Sequence, residues 1–115
     1  MDNAWSKRYN PRVEDIQEIH KLHKMLLAAQ IEHEFLNRSM VYDDMSRAYG
    51  WQILVFDKNG DRLVSAIEGA GTYGVEVDRI EIMGLLTPEE SIYDSVAGGL
   101  TAEDVLNRIK VALNN

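Results

Sequence analysis

The stretch "WQILVFDKNGDRLVSAIEG", Trp51 to Gly69, decides the fold. It holds two apolar runs rich in β-branched and aromatic residues, Trp51–Asp57 and Arg62–Glu68, around Asn59-Gly60. An Asn-Gly pair accepts positive φ at both positions, so the spacing predicts a hairpin closed by a two-residue type I′ loop. The first run is apolar on both faces, with Trp51, Ile53 and Val55 on one and Leu54 and Phe56 on the other. Such a strand is expected to be covered on both sides or to lie centrally in its sheet.

Upstream, residues 1–10 mix Asn, Ser, Lys and Arg and are expected to form a loose arm with Trp5 and Tyr9 as anchors. Residues 11–115 are expected to form a single α+β domain. Pro11 suits a first helical turn. From Arg12 onward Ile16, Ile19, His23, Leu26, Leu27 and Gln30 share one face, with Glu18, Lys21 and Lys24 outside it. That periodicity predicts an amphipathic helix ending near Gln30. Ile31 to Leu36 alternates as a short strand does. Ser39 is placed to cap a short helix carrying Val41, Met45 and Ala48 and stopped by Gly50.

Downstream, Val75–Leu86 fits a strand through Val75 and Val77 or a helix through Val77, Ile80 and Met83; the reading favours a helix from about Asp78. Leu86-Thr87-Pro88-Glu89-Glu90 is echoed by Leu100-Thr101-Ala102-Glu103-Asp104. Each has a Thr N-cap and an acid at the third helical position, as a capping box requires, and Pro88 is preorganised for the first. The doubled motif therefore marks two helix starts rather than a reactive carboxylate pair. The last helix should run to about Leu113 with Val105, Leu106, Ile109 and Leu113 inward. The expected architecture is α+β: an N-terminal amphipathic helix packed on a small antiparallel sheet with an Asn-Gly hairpin, and short C-terminal helices.

A chain of 115 residues can bury a core without a metal or disulfide staple, and the absence of Cys removes thiolate chemistry and Cys-based metal sites. The first twenty residues carry no apolar run, so neither a secretory signal nor a membrane anchor is expected there, and the expected compartment is the cytoplasm. The net charge is −7, and eight acids against Arg79 alone between Val75 and Val105 equal all of it. Such a field repels nucleic acid and anionic lipid and steers basic surfaces inward. Lys7, Arg8 and Arg12 are too few for a nucleic-acid patch.

"GAGTYG", Gly69 to Gly74, has the G-x-G-x-x-G spacing, but Val75-Glu76-Val77 is a poor helix start and the chain is short for a doubly wound fold. A tight turn is expected, or an anion-binding nest in which Gly71 and Gly74 free the backbone, Tyr73 stacks a base and Arg79 meets a phosphate. His20 and His23 stand three apart, yet no third ligand has recognisable spacing, so buried or rim histidines rather than a metal site are expected. His33, between Glu32 and Glu34, reads as a strand-surface residue. No nucleophile elbow is present. No cofactor, no metal and no catalytic residue are expected.

The text "TYG…IEIMGLLTPEESIYDSVAGGLTAEDVLNRIK" resembles a group of small uncharacterised proteins encoded by phages and prophages of Firmicutes, most specifically from Glu81 to Val105. The chain departs from that group at Gly98-Gly99 and at Val75 to Arg79. The resemblance implies a mobile-element origin and a bacterial cytoplasm, and implies no catalysis. The expected function is a non-enzymatic accessory protein that binds a host or phage protein. In its sharpest form it is an anti-CRISPR-like counter-defence inhibitor, offering Glu76, Asp78, Glu81, Glu89, Glu90 and Asp94 to a basic surface. The alternative is a sponge for a nucleotide signal at Gly69–Gly74. Trp5, Tyr42 and Tyr49 would suit a homodimer surface.

Overall fold

The hairpin organises the molecule. A computed structural model describes residues 10–114, so Trp5, Lys7, Arg8 and Tyr9 lie outside the described residues. The elements in chain order are α1 (Glu18–Ala28), β1 (Glu34–Asn37), β2 (Met40–Val41), β3 (Arg47–Ala48), β4 (Gly50–Phe56), β5 (Arg62–Gly69), β6 (Ile80–Met83), α2 (Pro88–Tyr93), β7 (Val96–Leu100) and α3 (Ala102–Leu113). Five strands form one antiparallel sheet in the order β1-β4-β5-β6-β7, and β2 pairs with β3 alone. The class is α+β, as the sequence predicts.

Registration aligns Phe35, Ile53, Ala66, Ile82 and Ala97 in one row across all five strands. Val55 opposes Val64 and Ile80 opposes Leu100 on the same face. Onto this face pack Ile19, Leu22 and Leu26 of α1 and Val105, Leu106 and Ile109 of α3, all buried. Each large aliphatic side chain so buried contributes about 1.5–3 kcal/mol. The opposite face is half-exposed, and there Arg38 Nε donates to Gln52 Oε1 at 2.9 Å and Gln52 Nε2 donates to Ser65 Oγ at 2.7 Å. The strand β4 is an interior strand, second in the order; its Ile53 and Val55 are buried on the core face, while on the other face Leu54 is half-buried and Phe56 exposed.

Four local expectations are corrected. The hairpin loop is not a two-residue Asn-Gly turn. Gly60 alone takes positive φ (84°), Gly60 N–H donates to Asp57 O, and Asp57 N–H donates to Asp61 O. Asp57 Oδ1 accepts from Asn59 and Asp61 N–H, a competing side-chain turn that moves the closure one residue back and lengthens the loop.

The helix expected from Pro11 starts at Glu18, after a 3-10 turn at Val13–Asp15. Its buried stripe includes Leu22 and Glu18, whereas Leu27 is 58% exposed and Gln30 has already left the helix at φ 57°.

The helix expected after Ser39 is the β2–β3 hairpin. Asp44 accepts from both the N–H and the hydroxyl of Ser46, and Met45 adopts φ 69°, so side-chain turn chemistry overrode the helical spacing of Val41 and Met45. The helix expected from Asp78 is strand β6, because Asp78 sits at φ 56° and ends a 3-10 turn at Val75–Val77. Among the described residues no helix is long and apolar enough to cross a membrane.

Candidate functional site

Both predicted capping boxes form. Thr87 N–H donates to Glu90 Oε1 at 2.8 Å and Glu90 N–H to Thr87 Oγ1 at 3.2 Å; Thr101 and Asp104 exchange the same pair at 3.0 and 3.1 Å. Glu90 also grips Arg108 of α3 through both oxygens, at 2.7 and 3.0 Å, while Arg108 donates to Leu85 O at 3.0 Å. The guanidinium first, then the Thr87 N–H, holds the Glu90 carboxyl down at about 2.

A second carboxylate group gathers where two helices start. The first turn of α1 has no local side-chain cap. Instead Asp78 Oδ1 accepts from Gln17 N–H at 2.8 Å and from Glu18 N–H at 2.9 Å, and Glu68 Oε1 accepts from Ile19 N–H at 3.0 Å. Glu18 in turn accepts from Ala102 N–H of α3 at 2.8 Å and pairs with Lys21 at 2.7 Å. Carboxylates satisfy the free N–H groups of a helix start and complement its dipole.

Glu68 lies on the core face of β5 at 0% exposure, and its Oε2 has no partner as a bare carboxylate. Burial first, then a shared proton with Asp78, pushes Glu68 up to about 9. Burial acts against Asp78 too, yet the bonds from Glu68 and the two N–H groups, with nearby Lys21, leave its carboxyl below the ordinary range. Glu68 is therefore a neutral acid donating to Asp78 at pH 7. This cluster joins α1, β5, the 3-10 turn ahead of β6 and the start of α3.

The glycine loop is closed by its own atoms. Gly69 N–H donates to Thr72 Oγ1 at 3.1 Å, the Thr72 hydroxyl donates to Gly69 O at 2.8 Å, and Thr72 N–H donates to Gly69 O at 3.0 Å. Two of the expected nest groups are engaged within the fold, while the Tyr73 side chain is exposed. Tyr73 N–H donates to the Glu81 carboxylate at 3.0 Å, and Arg79 folds back onto the carbonyls of Val77 and Asp78 at 3.1 and 2.9 Å. Gly74 (φ 90°) packs so closely on β7 that a Cβ there would stand 3.1 Å from Gly99 N. Gly71 is exposed at the loop tip. The strand that follows pairs antiparallel with β5, which excludes a dinucleotide βαβ unit.

Of the six acids expected to face a partner, Asp78, Glu81 and Glu90 are engaged internally, whereas Glu76, Glu89 and Asp94 are exposed. Sequence spacing missed a different acidic site. A groove of about 590 Å³ opens between the end of α1, the chain entering β1 and the end of β4. Its walls are Leu27, Ile31 and Phe56, with Glu32, Glu34 and Asp57 around them. Among the described residues no cation pairs with these three acids.

His33, which also lines this groove, is not a plain strand-surface residue. Its Nδ1 donates to Ile31 O at 2.8 Å, so its Nε2 accepts from His23 Nδ1–H at 2.8 Å. His23 stacks on Phe35 with centroids 4.2 Å apart, and His20 meets Phe35 and Trp51 edge-on. Burial first, then His33 and His20, lowers the His23 pKa; burial and Lys24 lower that of His20. Among the described residues no group of three or more His, Asp or Glu could hold a metal ion. Comparison with family models, with curated proteins and with solved structures returned no match.

Proposed function

We propose that this is a non-enzymatic phage or prophage accessory protein that binds a host or phage protein through a basic surface of that partner. The anti-CRISPR-like form, in which acidic side chains occupy a basic nucleic-acid channel, is its most specific version. The observation that carries the reading is the division among the carboxylates. Glu18, Glu68, Asp78, Glu81, Glu90 and Asp104 hold main-chain N–H groups or cations of the fold, whereas Glu32, Glu34, Glu76, Glu89, Asp94 and Glu103 are exposed. The first set builds the molecule; the second offers negative charge to whatever approaches.

The nucleotide-sponge alternative has weaker support, because the backbone N–H of Tyr73 that would meet a phosphate already meets Glu81. Capture of a partner from host lysate, repeated across a salt series, tests the reading. Retention is expected to fall steeply as salt rises through the physiological range. Retention independent of salt would remove electrostatic recognition.

A further inference from the structure

We propose that the groove between the end of α1, the entry to β1 and the end of β4 is the anchoring subsite for an arginine side chain of the partner protein. This rests on the basic-partner reading above and assigns it a place. The groove has the two chemistries such a side chain needs. Leu27, Ile31 and Phe56 give an apolar wall for the aliphatic stem, and Leu27 and Phe56 are exposed although large and apolar. Glu32, Glu34 and Asp57 surround that wall, and no Lys or Arg lines it. One oxygen of Asp57 is engaged by the N–H groups of Asn59 and Asp61, so the turn holds that carboxylate in place.

His33 is fixed by its bond to Ile31 O and by His23 behind it, so the wall beside the acids is held by α1 rather than by a free loop. Guanidinium is favoured over ammonium by its planar fork, which can meet two carboxylates at once, and by its capacity to stack on the Phe56 ring. A second copy of this chain is disfavoured as occupant, since both copies carry the same net charge of −7.

The test titrates N-acetyl-arginine N-methylamide into the full chain and follows amide and methyl NMR shifts. Its uncharged isostere, N-acetyl-citrulline N-methylamide, serves as the control. Shifts confined to Leu27, Ile31–Glu34 and Phe56–Asp57 are expected with arginine and not with citrulline. Glu34→Gln and Leu27→Ala, both at exposed positions, are each expected to weaken binding roughly threefold to fivefold. Undiminished binding by Leu27→Ala, or arginine shifts centred on Glu76, Glu89 and Glu103, would overturn the groove while leaving a basic partner intact. Equal response to citrulline, or no response to either compound, would likewise overturn the groove, while the basic-partner reading stands or falls on the salt series.

Discussion

Glu68 is the residue with the clearest pH signature. Its carboxyl rises from 4.5 in the free side chain to about 9 in the fold. The folded chain therefore keeps a proton that the unfolded chain releases. Stability from this group is fully present below about pH 4.5 and is lost progressively as pH rises toward 9. Glu68→Gln keeps the acceptor for Ile19 N–H and supplies a permanent donor toward Asp78. It is expected to flatten that decline and to stabilise the protein at pH 8 by about 1–3 kcal/mol, measured by urea unfolding across pH. Lower stability of the variant at every pH would mean that the two carboxyls share no proton. At Arg108 the bidentate grip on Glu90 predicts that Arg108→Ala costs about 1–3 kcal/mol and that Lys does not restore it, by the same assay. Neither partnership was legible in sequence. Glu68 reads as the polar end of a strand, and only the register that sets it opposite Trp51 reveals that it faces the core.

At the scale of elements, capping separates what was legible from what was not. The starts of α2 and α3 were readable because cap and third-position acid lie within four residues, and both boxes formed. The start of α1 was unreadable because its caps, Asp78 and Glu68, arrive from 61 and 49 residues away. Asp78→Ala loses that cap and forces a left-handed φ on alanine, so a cost of about 2–3 kcal/mol is expected. Faster hydrogen exchange at Glu18 and Ile19 would accompany it; unchanged exchange would relocate the cap. Asn tolerates the same φ and keeps one acceptor, so Asp78→Asn should cost less. Where β7 passes the glycine loop, a Cβ on Gly98 would lie 2.5 Å from Tyr73 Cβ. Gly98→Ala is therefore expected to lower stability by about 1–3 kcal/mol, checked by thermal unfolding. The two misread hairpin details share one cause: Asp57 and Asp44 bond the backbone two residues on, which periodicity does not register.

For the molecule as a whole, the hairpin, the sheet's antiparallel class and the apolar stripes of α1 and α3 were visible in residue spacing, since burial imposes those periods directly. The groove was not, because Leu27, Glu34 and Phe56 come from three elements whose meeting depends on the tertiary course. The two helices that roof the sheet stand near opposite ends of the described chain and are tied by Glu18 to Ala102. Removing residues 101–115 is therefore expected to abolish a sigmoidal unfolding transition and to expose surface that binds a hydrophobic dye, rather than merely lowering the melting temperature. During synthesis α3 leaves the ribosome after every other described element. Until it does, the nascent polypeptide carries a half-roofed sheet whose aliphatic row stays wet, a period in which chaperones or misassociation compete with closure.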